Sequence, residues 1–143
     1  MAAATGRDVS GDGGVLIETT RAGTGIKPEE GMIVFVQYVG KLTDGTVFDS
    51  TREKPHRRDI GFYFQLGAGQ VIKGWDVGFL NMTVGESATL TLRYDYGYGE
   101  QGMRQSGIPP KATLVFDVEL KDAKFMDAAA LDAVDAEVER LRG

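Results

Sequence analysis

The chain has 143 residues, of which 42% are hydrophobic and 26% charged, with a formal net charge of −5. That is the make-up of one globular domain with short appendages, and the acid excess argues against nucleic acid or an anionic membrane as the main partner. With no cysteine and a single histidine, disulfides, thiol nucleophiles and zinc–thiolate sites are excluded, and no apolar run approaches transmembrane length.

Residues 1–13 are small, polar and glycine-rich, and they read as a flexible N-terminal arm. They hold no apolar core of a secretory signal, and Ala2 excludes N-myristoylation. VLIETT (15–20) is a first strand. MIVFVQYVGKL (32–42) is β-branched and aromatic, and the Asp44-Gly45 pair after it is a hairpin signal leading into TVFDS (46–50). The charged, proline-containing stretch 51–59 reads as a surface loop or edge bulge. GFYFQL (61–66) is a further strand. GQVIKGWDVG (69–78) follows, with the single tryptophan of the chain. Val71, Trp75 and Phe79 recur at four-residue spacing, which predicts a short helix with one apolar stripe. Gly74 and Gly78 weaken that helix by about 1 kcal/mol each relative to alanine, so it needs a surface to lie on. SATLTLRY (87–94) alternates, placing Ala88, Leu90, Leu92 and Tyr94 on one face. Residues 96–107 read as a long flexible loop, and ATLVFDVEL (112–120) as the last strand.

The expected fold is α+β, a curved antiparallel sheet wrapped around one short helix, with the domain spanning 14–122. The extension 123–143 has a different pattern. From Asp127, a candidate N-cap, to Arg142 every residue tolerates a helix, and Leu131, Val134, Val138 and Leu141 form an apolar seam. A free helix of this length is marginal in water, so the seam is expected to pack on its own domain first, ahead of a partner or a second copy.

Residues suited to acid–base, nucleophilic or metal chemistry are absent as constellations. His56 lies among Lys54, Arg57 and Arg58 in a charged loop and reads as a solvated side chain. The acidic residues show no calcium-loop spacing, and no phosphate-cradling glycine loop precedes a helix. No metal and no cofactor is expected. What remains is aromatic: Tyr38, Phe48, Phe62, Phe64, Trp75, Tyr96, Tyr98 and Phe116. Most aromatics in a domain are core, but aromatics lining an apolar pocket with a few polar handles make a ligand site. Asp49 and the hydroxyls of Tyr38 and Tyr98 are the candidate handles for a small molecule or peptide.

Four segments carry a family resemblance: YVGKLTDGTVFDS, GQVIKGWDVG, YGYG and IPPKATLVFDVEL, in that order and spacing. Together they resemble the FKBP-type peptidyl-prolyl isomerase domain over about Val15 to Lys121. The resemblance implies isomerisation of X–Pro bonds in client proteins and binding of the macrolides tacrolimus and rapamycin. It places Trp75 at the pocket floor, and Phe48, Phe62 and Phe116 on its walls. Tyr38 and Asp49 form a polar pair along one side. Val71 and Ile72 stand at the helix start, where the Ile72 N–H meets a ligand carbonyl. The Tyr98 hydroxyl reaches a bound carbonyl, and Ile108 is the apolar residue before the paired prolines. Gln70 stands where many members have glutamate, at a position that acts through its backbone carbonyl. The longer 51–59 loop and the altered 100–107 loop depart from compact members, which bears on substrate preference and macrolide affinity. A cytoplasmic monomer is expected, with contacts through 127–142 as a further feature. The rival reading is a non-catalytic peptide- or drug-binding module acting through protein–protein interaction.

Overall fold

A computed structural model describes residues 6–51 and 61–127, and in the tail residues 129, 130, 132, 133, 136 and 140. Seven strands and one helix carry the domain: β1 (Arg7–Asp8), β2 (Val15–Arg21), β3 (Ile33–Leu42), β4 (Val47–Ser50), β5 (Phe62–Gln65), α1 (Lys73–Phe79), β6 (Ser87–Leu92) and β7 (Leu114–Lys124). All pairings are antiparallel, in the order β1-β2-β6-β7-β3-β4, with β5 also on β3. This is the expected α+β architecture.

β3 is the spine. One edge runs the full length of β7, from Ile33 opposite Lys124 to Leu42 opposite Leu114. The other edge is shared: its first half pairs with β5 up to Val36 opposite Phe62, and its second half with β4 from Val39 opposite Ser50. The split falls at Gln37–Tyr38, where strand pairing stops and a side chain must take over.

The buried face follows the period-two pattern of the strands. Ala88, Leu90 and Leu92 of β6 face inward beside Leu114, Phe116, Val118 and Leu120 of β7, all nearly inaccessible. Tyr94 leaves this alternation, because a 3-10 turn at Tyr94–Tyr96 ends the strand and buries Tyr96 instead. Helix α1 crosses the inner face with Trp75 and Phe79 buried. The glycines that weaken it are also what lets it approach: a β-carbon on Gly74 would stand 2.6 Å from two Leu92 methyls, and one on Gly78 3.1 Å from a Leu90 methyl. The helix starts at Lys73, so Val71 and Ile72 precede it rather than opening its stripe.

Three further expectations need correction. Residues 7–13, assigned by composition to a flexible arm, form β1 on β2 and a loop closed by side-chain hydrogen bonds. Asp8 accepts from Ser10, Gly11 and Gly13 N–H, while Asp12 accepts from Gly14 N–H, Arg93 and the Tyr96 hydroxyl. The Ser10 hydroxyl, whose single proton is shared between Asp8 Oδ1 at 2.8 Å and Asp12 Oδ1 at 2.7 Å, is the first cause that holds each carboxyl below its ordinary range, and the other donors add to it. Second, the last strand passes the 122 boundary: Ala123, paired with Val34, is buried. Third, the 96–107 segment, read as a long flexible loop, has local structure of its own. It carries a 3-10 turn at Arg104–Ser106 and a bridge between Met103 and Ile108.

The described tail residues from Ala129 to Arg140 are helical. The Ala130 N–H donates to Asp127 Oδ1 at 2.8 Å. The seam of Leu131, Val134, Val138 and Leu141, the loop 52–60 with His56, and residues 1–5 lie outside the described residues. Among the described residues no helix is long and apolar enough to cross a membrane, and no group of three His, Cys, Asp or Glu could hold a metal.

Candidate functional site

The site forms where three elements converge: the split in β3, the start of α1 and the middle of β7. Trp75 is 4% exposed and sits in a ring of aromatics. Its indole centroid lies 4.8 Å from Tyr38, 5.3 Å from Phe116, 5.8 Å from Phe64 and 6.0 Å from Phe62, mostly edge to face. Phe79 lies 5.5 Å away and backs the indole from the next helical turn. Each such pair contributes roughly 0.5–1.5 kcal/mol beyond its buried area, so the cluster is held as a unit. The Trp75 Nε1–H is buried with no acceptor among the described residues.

Phe48 meets Phe116 edge-on at 5.6 Å. Gly40 makes that pairing feasible, since a β-carbon there would sit 2.8 Å from both rings. A glycine inside an otherwise β-branched strand is the sequence signal for such a close approach. Phe48, Phe62, Val71, Ile72 and Tyr98 are partly buried against the core, whereas Ile108 is 2% exposed and belongs to it.

The polar side is built from Tyr38, Asp49 and Tyr98. The Tyr38 hydroxyl donates to Asp49 Oδ2 at 2.5 Å, and the Ser50 N–H donates to the other oxygen at 2.9 Å. Burial raises the Tyr98 hydroxyl above the usual phenol range, and the Asp49 charge adds to this. Tyr98 therefore stays a neutral donor at physiological pH. Thr51, read only as the start of a charged loop, is buried at 1% exposure. Its Oγ1 accepts the Tyr38 N–H at 3.1 Å, capping β3 where strand pairing splits. No sequence signal marks that role.

The eleven residues assigned from the resemblance thus divide. Tyr38, Phe48, Phe62, Trp75 and Phe116 are linked by ring contacts, and Asp49 joins them through Tyr38. Val71 and Ile72 stand at the helix start beside Trp75, and the Ile72 carbonyl accepts the Trp75 N–H at 3.0 Å. Gln70 does more than its backbone role: its Oε1 accepts the Gln65 N–H at 2.9 Å. Tyr96, two residues before Tyr98, lies apart from the aromatic ring set. Its hydroxyl donates to Asp12, and the Lys73 ammonium stands 4.8 Å over its ring.

Comparison with known proteins identifies the family. Residues 24–121 match the family model of the FKBP-type peptidyl-prolyl cis-trans isomerase. FK506-binding protein 1 of Dictyostelium discoideum is 52% identical over 107 residues, covering 75% of this chain and 95% of that protein. Peptidyl-prolyl cis-trans isomerase FKBP20-1 of Arabidopsis thaliana is 41% identical over 138 residues, covering 94% of this chain and 70% of that protein. The crystal structure of AtFKBP13 superposes with a TM-score of 0.69 at 34% identity, over 76% of this chain and 91% of that one. Other relatives are much longer, and the chain spans 26% of FK506-binding protein 59 of Drosophila melanogaster. The chain belongs to the FKBP-type peptidyl-prolyl cis-trans isomerase family, and its activity is that of a peptidyl-prolyl isomerase.

Proposed function

We propose that X–Pro segments bind over the Trp75 indole, between the Phe48, Phe62 and Phe116 rings, with apolar residues favoured before the proline. The observation that carries this reading is the continuous aromatic cluster around Trp75, with Ile72 and Tyr98 partly buried against the same core. The Ile72 N–H takes a bound carbonyl, and the Tyr98 hydroxyl a second. Tyr38 and Asp49 hold each other and close the polar flank. Macrolides such as tacrolimus and rapamycin occupy the same pocket. The protein acts as a cytoplasmic monomer.

Rotation about a peptide bond costs about 18–20 kcal/mol because resonance is lost at the twisted geometry. An apolar cavity favours the twisted amide, which has less charge separation than the planar one, and contacts that fit only the twisted form act in the same direction. A ten-thousandfold acceleration requires only about 5.4 kcal/mol. Nucleophile, metal and proton transfer are all unnecessary for that sum.

The test is exchange of short peptides differing in the residue before proline. Faster exchange for leucine than for glutamate at that position is expected, with a rate flat between about pH 6 and 8, because Tyr98 stays protonated there. Trp75→Leu should weaken tacrolimus binding and lower turnover while thermal unfolding stays cooperative. Tacrolimus binding equal to the parent would refute the assignment of the pocket floor.

A further inference from the structure

The turn between β5 and α1 delivers Gln70, Val71 and Ile72 to the pocket, yet it belongs to no strand or helix. Leu66 is still tied to the sheet, its N–H donating to the Met32 carbonyl at 2.9 Å while its own carbonyl accepts the Gly31 N–H at 2.9 Å. Beyond it, Gly67 and Gly69 take left-handed φ values of 81° and 71°. Among the described residues, the backbone bonds of 67–72 outside the helix itself are a long one from Ala68 N–H to the Gln65 carbonyl, at 3.4 Å, and one from Trp75 N–H to the Ile72 carbonyl. Side chains supply the rest. Asp76 Oδ1 accepts the Gly67 N–H at 2.8 Å, and Oδ2 accepts the Gly69 N–H at 3.2 Å. Gln70 Oε1 accepts the Gln65 N–H at the end of β5.

We propose that Asp76 is a positioning residue for the pocket: its carboxylate clamps the 67–69 turn onto the helix that carries Trp75, with Gln70 as the second anchor. The proposal rests on the pocket reading above and adds what fixes the Ile72 N–H relative to the indole. Asp76 follows Trp75 directly and lies in the first turn of α1, so the turn and the pocket floor share one rigid reference. A carboxylate suits this place because it presents two acceptor oxygens to two N–H groups, and such charge-assisted bonds are stronger than neutral ones. An asparagine would keep one acceptor and turn its own NH2 toward the other N–H. The clamp holds the ground-state and twisted amide alike, so its loss is read in KM rather than kcat.

Asp76→Asn is compared with the parent by amide hydrogen exchange and by steady-state exchange of an X–Pro peptide. Exchange at Gly67 and Gly69 should quicken about tenfold and KM rise three- to tenfold, with kcat within twofold. Asp76→Glu, which keeps both acceptors on a longer stem, should recover part of the loss. Gln70→Leu probes the second anchor from outside the helix and should raise KM more than Gln70→Glu. It also decides the matter if the Asp76 variants do not fold. Unchanged exchange at Gly67 and Gly69 overturns the clamp. Faster exchange there with an unchanged KM overturns its positioning role. A parent without isomerase activity instead refutes the pocket reading, and the exchange rates still decide whether the carboxylate holds the turn.

Discussion

Helix α1 is held differently on its two sides. Toward β6 it rests on Leu90 and Leu92 through the bare backbone of Gly74 and Gly78. Toward the β5 turn it is joined by the Asp76 carboxylate to two backbone N–H groups. The apolar side sets how closely the helix approaches and supplies most of the stability, because burying a leucine side chain contributes more than one net hydrogen bond does. The polar side fixes the position of a few atoms at little gain in stability, since a net hydrogen bond is worth about 0.5–1.5 kcal/mol. Stability and placement are thus separable around one seven-residue helix.

The sharpest way to break that division is on the apolar side. Leu90 is fully buried, and Leu90→Ala should cost about 2–5 kcal/mol through lost transfer energy and the cavity left behind. The melting temperature should fall by about 10 °C or more, and calorimetry would read it. A loss below about 1 kcal/mol would mean that the sheet side is not the main support. Gly74→Ala is the next step down. Overpacking against the Leu92 methyls costs about 1–3 kcal/mol, and alanine returns about 1 kcal/mol of helix propensity. A net loss is expected, seen as a lower denaturant midpoint; a net gain would show that the 2.6 Å approach relaxes freely.

On the ligand side, Tyr98→Phe removes the hydroxyl proposed above to donate to a bound carbonyl. Tacrolimus affinity should fall by about 0.5–1.5 kcal/mol, with the melting temperature unchanged. Calorimetric titration checks this, and an unchanged Kd would remove Tyr98 from the ligand contacts.

The same division decides what the sequence reveals. The period-two runs around Leu90 and Phe116 and the four-residue spacing of Trp75 and Phe79 are packing patterns, repeated often enough to be read from spacing alone. The aromatic cluster could be assembled only through family resemblance, because periodicity does not say which aromatics meet. Thr51, Asp76 and the Gln70 side chain act by accepting one or two hydrogen bonds from backbone N–H groups remote in sequence or inside a turn. A lone polar residue leaves no period to detect. The arm at 7–13 is the fullest example. Its glycines and aspartates have a disordered composition, yet Asp12 reaches Arg93 and Tyr96 across more than eighty residues.

Asp12 gives a pH-dependent test of that arm. Its carboxyl is held below the ordinary range by hydrogen bonds from Ser10, Gly14 and Tyr96 and by the Arg93 charge. A folded-state pKa below the unfolded one contributes stability that is present above the unfolded value, near 3.8, and is lost as pH falls through the folded one. Asp12→Asn should therefore melt below the parent at pH 6 to 7, and the gap should narrow as pH drops below 4. A gap of constant size across that range would mean that the carboxylate charge plays no part in holding the arm. Because the group is exposed and its ion pair with Arg93 lies at the surface, added salt should shrink the effect as well.

The smallest expected effect is at Lys111, where the backbone is strained. It is the one non-glycine residue with positive φ among the described residues, at 56°. Its N–H donates to the Gly99 carbonyl at 3.1 Å, pinning the loop between β6 and β7 just after Pro109 and Pro110. The left-handed region costs an ordinary L-residue roughly 1–2 kcal/mol, whereas asparagine visits it readily. Lys111→Asn keeps the N–H bond and should raise the melting temperature by about 1–2 °C. Lys111→Val, β-branched and poorly suited to positive φ, should lower it. Glycine relieves the strain too but gives back part of the gain through the entropy of the unfolded chain, so asparagine should match or exceed it. The ordering Asn ≥ Gly > Lys > Val is the outcome to measure. If valine were as stable as lysine, the loop would be adjusting its backbone at Lys111, and its hydrogen bond to Gly99 would be too weak to hold the conformation.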